Sequence, residues 1–223
     1  MIVTIDGPAG AGKSSAARRL ARRLGFRFLD TGAMYRAVTL AGYQAGVDWD
    51  QPEQLSAVAA SLVLDLSDSH ISMNGEDVTA AIRTLEITTL TKHAADNQEV
   101  RRLLTDQQRA FAAGRDVVTE GRDQATVVFP QADCKIFLTA GEEERAKRRF
   151  LDLQARGEEV DLAEVLRKQR LRDQGDTERT HGGLAKASDS IEVLTDGLSP
   201  EEVVDRLAEI VQSVQMHSGI AAK

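Results

Sequence analysis

One cysteine, four histidines and four prolines are spread over 223 residues, aromatic side chains make up only 4%, and basic charge is in deficit. The single thiol, Cys134, excludes an intramolecular disulfide. Its setting, Cys134-Lys135-Ile136-Phe137-Leu138, predicts a buried and inert group. With 28 Lys and Arg against 35 Asp and Glu, the net charge is −7 and the pI about 5.2. That balance excludes a nucleic-acid binder held by a basic surface. No apolar run approaches the roughly 18 residues of a membrane span. Ile2–Ile5 is too short for a signal peptide and follows no basic stretch. These absences lead to the expectation of a cytoplasmic protein with no membrane and no nucleic-acid partner.

What is present is ordinary for a globular chain: 42% hydrophobic and 28% charged residues. The length suits one α/β core carrying small inserted lobes. The basic residues are lopsided, 21 Arg to 7 Lys, and Arg is bunched at 18–23, 145–149 and 167–179. Arg's planar fork matches phosphate and carboxylate geometry, so the bias fits a protein that handles small anions. Codon usage and solvated helix faces would give the same count.

Short β-branched or apolar runs at Ile2–Ile5, Phe26–Leu29, Val117–Thr119, Lys135–Leu138 and Ile191–Leu194 predict strands. Amphipathic spacing predicts helices at Lys13–Leu24, Gly32–Ala45, 53–62, 142–155, 162–178 and 199–214. Residues 84–113 read as one helix or two. Strands alternating with helices predict a parallel sheet covered on both faces. Leu62–Leu66 and His70–Met73, with the Asn74-Gly75 turn, break that rhythm and predict a small antiparallel lobe. Met216–Lys223 reads as a frayed tail.

Gly7-Pro8-Ala9-Gly10-Ala11-Gly12-Lys13-Ser14 fits G-x-x-x-x-G-K-[ST], between a predicted strand and a predicted helix. Glycines allow successive N–H groups to converge on an anion, and the helix adds its positive end. Lys13 supplies a mobile charge for the outer phosphates, and the Ser14 hydroxyl suits a magnesium ion. Gly7 through Ser15 are therefore the candidate triphosphate cradle, with Ser14 the candidate metal ligand. The motif says nucleoside triphosphate; it does not distinguish a kinase from a nucleotide switch.

Three further segments narrow the class: Leu29-Asp30-Thr31-Gly32-Ala33-Met34-Tyr35-Arg36, Gly121-Arg122-Asp123-Gln124-Ala125-Thr126-Val127-Val128-Phe129-Pro130, and Arg172…Asp176…Arg179. With the phosphate loop they resemble the bacterial cytidylate kinases, over residues 2 to about 210. Asp77-Val78-Thr79, Ile82-Arg83-Thr84, Val100-Arg101 and Gln108-Arg109-Ala110-Phe111 are similar too.

The resemblance implies a P-loop nucleoside monophosphate kinase fold, α/β, with a five-stranded parallel core. Its core would span about 1–60 and 85–215, an inserted acceptor lobe about 60–85, and an Arg-bearing lid about 150–180. It implies ATP and Mg²⁺, CMP or dCMP as acceptor, and a monomer. It places Thr31, Arg36, Arg101, Arg122, Asp123, Arg172, Asp176 and Arg179 around the acceptor, with Lys13, Arg122 and Arg179 catalytic.

Some of these residues can be argued independently. Arg122 and Asp123 lie just past a predicted core strand, where open parallel sheets bind ligands. A carboxylate can accept from the cytosine 4-amino group. Spacing of i, i+4 and i+7 puts Arg172, Asp176 and Arg179 on one helix face, which a plain salt-bridged surface would also show. Asp30 is a candidate for holding a magnesium-bound water. Arg145, Arg148 and Arg149 open the predicted lid helices, where a phosphate contact and a solvated face read alike.

The chain departs from the family pattern at Lys92, at Ala125 and at His181-Gly182-Gly183. Two other readings stay open at this point: a P-loop kinase for another small metabolite, and a switch ATPase using Glu120 as its hydrolytic carboxylate.

Overall fold

The structure is a computed structural model, and it describes residues 1–67, 70–155 and 157–218. Contacts divide the chain into one unit of Met1–Phe26 with Val117–Lys223 and a second of Arg27–Asp116.

In the first unit the β-branched run Ile2–Asp6 forms β1, buried on both faces from Val3 onward. It pairs in parallel with Val117–Gly121 and with Cys134–Thr139. With β2 as Arg27–Asp30, β3–β5 as the short strands at 64–66, 71–73 and 76–77, and β8 as Ile191–Leu194, those partners are β6 and β7. The five-stranded sheet runs β2-β6-β1-β7-β8. Burial of every residue of β6 confirms that both faces are covered.

Lys13–Leu24 forms α1, with Ala16, Ala17, Leu20 and Ala21 buried at helical spacing. Gly25, left-handed at φ 70°, ends it. Pro200–Ser218, the eighth α-helix among the described residues (α8), is tied to α1 by Arg19–Glu201 at 3.4 Å and by Arg23–Asp205. It runs past the predicted end at 214 into the expected frayed tail; residues 219–223 lie outside the described residues. Glu142–Ala155 (α6) and Leu162–Glu178 (α7) share a small apolar cluster of Ala146, Leu153 and Val165.

The second unit holds α2 (Thr31–Ala45), α3 (Pro52–Ser61), α4 (Leu85–Asp96) and α5 (Gln98–Ala112) beside the antiparallel sheet β3-β4-β5. Asn74 (φ 52°) and Gly75 (φ 87°) make the tight turn between β4 and β5, both left-handed as a two-residue hairpin requires. The 84–113 segment is two helices because Asn97 caps the second. Its Oδ1 accepts from the Val100 N–H at 3.0 Å, and its Nδ2 donates to the Pro52 carbonyl at 2.7 Å.

Candidate active site

The loop between β1 and α1 is built for an anion. Gly7 (φ 150°) lies so close to β7 that a Cβ there would meet the Leu138 carbonyl oxygen at 1.9 Å. Gly12 (φ 86°) caps α1 with no side-chain acceptor, and the first turn carries no acidic residue. The helix's leading N–H groups and positive end therefore stay available for a phosphate. Lys13 is 5% exposed, and its Nζ donates to the Pro8 carbonyl at 2.8 Å. Two ammonium protons remain for a ligand.

Burial, then Arg122 and Arg172, push the Lys13 ammonium down to about 7, against the opposing pull of Glu120 and Asp6. The phosphate-loop lysine and two of the predicted acceptor arginines thus share one electrostatic neighbourhood. Ser14 donates to Glu120 Oε1 at 2.7 Å. Glu120 is buried within β6 rather than beyond it, since the strand runs on to Gly121. Ser15 follows in the first turn of α1.

Past β6 the chain makes one wide helical turn, Gln124–Val128. Asp6, at the end of β1, holds that turn: Oδ1 accepts from the Gln124 N–H at 2.9 Å and Oδ2 from the Ala125 N–H at 2.7 Å. Burial pushes the Asp6 carboxyl up to about 6; the two N–H bonds and Lys13 oppose the rise, while Asp123 adds to it. Thr119 Oγ1 donates to Gln124 Oε1 at 2.9 Å inside the same turn. Asp123 is buried at its start, and its carbonyl accepts from the Val127 N–H at 2.9 Å.

Arg122 and α7 form the next layer. Arg122 Nε donates to Asp176 Oδ2 at 2.7 Å, and Arg179 Nη2 to Asp176 Oδ1 at 3.1 Å. Burial works to raise the Asp176 carboxyl, yet Arg122, Arg172 and Arg179 outweigh it and hold it below the usual range. One buried carboxylate thus aligns two guanidiniums. Arg172 is exposed on α7 and acts on Asp176 and Lys13 through its charge.

The second unit has a cluster of its own. Asp30 caps α2, accepting from the Ala33 N–H at 2.8 Å, and lies 3.6 Å from Arg36. Its carboxylate is thus already engaged within the protein. Arg36 packs on Gly32, where a Cβ would sit 3.1 Å from Nη1. Arg36 Nε is buried and donates to no protein acceptor among the described residues. Thr31 is buried in the first turn of α2. Arg101 is buried on α5, donates to the Ala95 carbonyl at 3.1 Å, and lies 5.5 Å from the Tyr35 ring centre.

Sequence reasoning missed Asp6 as the residue that shapes the Asp123 turn; its only signal was an acidic residue ending an apolar strand before the glycines. It also left Arg145 undecided, whereas the structure buries it: Arg145 Nη1 donates to the Ala9 carbonyl at 2.9 Å and to Asp173 Oδ2 at 2.6 Å. Arg148 pairs with Glu144 and donates to Thr195 Oγ1 at 2.9 Å.

The unusual residues differ in consequence. Lys92 is exposed on α4, and Ala125 is buried with its N–H on Asp6. Gly183 is required by packing, since a Cβ would meet the Arg179 carbonyl oxygen at 2.8 Å. There the chain folds back over the end of α7, with the Leu184 N–H donating to the Asp176 carbonyl at 2.7 Å.

Comparison with known proteins agrees with this geometry. A shikimate kinase structure from Bacteroides thetaiotaomicron superposes with TM-score 0.51 at 14% identity, covering 95% of this chain and 98% of that one, which shows the fold alone. The cytidylate kinase of Rhodopirellula baltica is 51% identical over 95% of this chain and 93% of its own length. That of Geobacter sulfurreducens is 45% identical over 95% and 93%. The bifunctional pantoate ligase/cytidylate kinase of Synechococcus elongatus is 47% identical over 94% of this chain, which spans 41% of that longer protein. The family model for cytidylate kinase matches residues 3–213. A phosphate loop, an Arg122–Asp176–Arg179 network centred on a buried carboxylate and matches of this extent lead to one conclusion: the chain belongs to the cytidylate kinase family.

Proposed function

We infer that this chain transfers the γ-phosphoryl group of ATP to CMP, with dCMP as a further acceptor. The observation that carries the reading is the convergence of Lys13, Arg122 and Arg172 on one another's charge beside a phosphate loop. Mutually repelling cations gathered around a buried Lys13 make sense when two polyanions occupy the space they face. Relatives named cytidylate kinase supply the acceptor's identity.

The transfer is an in-line displacement. A phosphate oxygen of CMP attacks the γ-phosphorus, the bond to the bridging oxygen breaks, and ADP leaves with that electron pair. The attacking oxygen is already anionic at neutral pH, so no general base is required and no histidine is used. The protein supplies alignment and neutralisation. Lys13 offers its two remaining N–H groups to the β- and γ-phosphates, and the loop's N–H groups hold the tail. Arg122 and Arg179, aimed by Asp176, with Arg172, hold the acceptor phosphate and sugar. Arg36, whose Nε has no acceptor within the described protein, takes the acceptor phosphate as well. Thr31, Arg101 and Asp123 address the acceptor's hydroxyl and base, with Asp123 accepting from the cytosine amino group.

Mg²⁺ fits the residues present. The groups at Ser14 are oxygens, its hydroxyl and the Glu120 carboxylate, and among the described residues no cluster of three His, Cys, Asp or Glu forms a cage. Magnesium is commonly held by one or two protein oxygens together with phosphates and water. Ser14 would hold it, and when bound it would neutralise charge on the phosphate oxygens.

We assign residues of about 60–85 to the acceptor lobe and about 150–180 to a lid that excludes water. A monomer in the cytoplasm completes the reading; no described helix is long and apolar enough to cross a membrane.

The test is a coupled ADP-release assay against CMP, dCMP, UMP, AMP and GMP. ADP release should depend on CMP or dCMP; release indifferent to any acceptor would convict a hydrolase instead. Asp123→Ala should lose the preference for CMP over UMP before it loses all turnover, and an unchanged preference would remove the base-reading role.

A further inference from the structure

We propose that Arg145 and Asp173 form a positioning pair that fixes the Ala9–Gly10 peptide of the phosphate loop from α7. Arg145 is 7% exposed although it stands in a helix crowded with solvated charge. Each of its bonds is directional. Nε donates to the Ala140 carbonyl at 3.0 Å, while Nη1 donates to the Ala9 carbonyl at 2.9 Å and to Asp173 Oδ2 at 2.6 Å.

A trans peptide is planar, with its carbonyl and N–H pointing opposite ways. A guanidinium that captures the Ala9 oxygen therefore turns the Gly10 N–H away from itself, toward the other side of the loop. Orientation of that N–H is what a phosphate cradle depends on. The glycine itself is part of the fit. Gly10 has φ 78°, and a Cβ there would lie 3.3 Å from Arg145 Cβ and 3.5 Å from Gln169 Oε1. Gln169 in turn donates to the Glu142 carbonyl at 3.1 Å, joining α6 to α7 behind the loop.

Asp173 is the unusual member. One oxygen neutralises Arg145, and the other, Oδ1, is buried with no hydrogen-bond partner among the described residues. Leaving such an atom unpaired is unfavourable, so stability alone gives no reason for a carboxylate here. A role in orienting Arg145 does. Asp173 also lies three residues before Asp176 on α7, so one helix carries both the strut to the donor loop and the carboxylate that aligns Arg122 and Arg179. Neither Arg145 nor Asp173 is assigned any contact with substrate; both act through the loop.

The proposal rests on the loop's role as a triphosphate cradle, and the experiment separates the two. Binding of inorganic tripolyphosphate, ADP and CMP is measured by calorimetry for wild type, Arg145→Lys and Asp173→Asn, alongside steady-state kinetics. Arg145→Lys keeps the charge but cannot reach two carbonyls and a carboxylate at once. It should weaken tripolyphosphate and ADP by tenfold or more and raise the KM for ATP to match, with the KM for CMP within twofold. Asp173→Asn, nearly isosteric and so expected to fold even if the lysine variant does not, should show the same selectivity at threefold to tenfold. Tripolyphosphate binding unchanged while ADP weakens would overturn the proposal in favour of an adenine contact. Equal weakening of CMP and ADP would reduce the pair to a structural role and likewise overturn it. If wild type itself bound no tripolyphosphate, the cradle assignment would fall first.

Discussion

Replacing Lys13 by methionine removes a charge that the fold holds at a cost. Methionine keeps an unbranched chain of similar length, so packing changes little. Burial, with Arg122 and Arg172, brings the Lys13 ammonium from its ordinary 10.5 down to about 7. A difference of that size between folded and unfolded chains is a penalty of about 4 kcal/mol at neutral pH, as an upper bound. The variant also gives up the bond to the Pro8 carbonyl, a loss of about 1 kcal/mol, and local relaxation trims the penalty further. Lys13→Met should then abolish turnover yet stabilise the nucleotide-free protein by roughly 2 kcal/mol at pH 7, about 4 to 8 °C in Tm for a chain of this size. The sign with pH is fixed. The unfolded lysine keeps its proton up to about 10.5 and the folded one releases it near 7. Wild type therefore gains stability as pH rises through that window, and the variant lacks the gain. Denaturant melts at pH 6.5, 8 and 9.5 measure the gap. A methionine variant less stable than wild type at pH 6.5, or a gap that fails to narrow as pH rises, would refute the reasoning.

Two further outcomes follow from the same site. Gly7→Ala drives a methyl against the Leu138 carbonyl oxygen at a left-handed backbone position; it should cost several kcal/mol, and a urea midpoint within 0.3 M of wild type would contradict the close approach. Asp6→Asn replaces an acceptor pair by one acceptor and one donor facing the Gln124 and Ala125 N–H groups. Because burial raises the Asp6 carboxyl from 3.8 to about 6, wild type should lose about 2 kcal/mol relative to the variant as pH rises from 4 to 6, with parallel stability curves above pH 7; parallel curves throughout would deny the raised carboxyl.

The sequence announced what local chemistry decides. β-branched runs located the strands, and helix spacing with Gly25 set both ends of α1 where the structure has them. Asn74-Gly75 specified its turn because left-handed backbone is a property of those two residues. What the sequence hid depends on distant partners. The break between α4 and α5 comes from Asn97, whose side chain is held by Ser56 and Pro52 across more than forty residues. Asp6 meets its N–H partners 118 and 119 positions away. Arg145 reads as one charge among many in an Arg-rich helix until Ala9 and Asp173 enclose it. Glu120 suggested hydrolytic chemistry in isolation; in place it accepts from Ser14. Gly183 read as an oddity because the carbonyls that forbid a side chain there belong to the end of α7.

The central strand imposes an order on assembly. β1 has two sheet neighbours, and they begin at Val117 and Cys134. Ile2, Val3 and Ile5 must therefore wait for more than a hundred residues to leave the ribosome, roughly ten seconds at ordinary elongation rates. Throughout that interval an aggregation-prone apolar ribbon has no native edge to join. Point mutations that delay β6 or β7 should accordingly reduce soluble yield far more than they reduce the stability of molecules that have already folded.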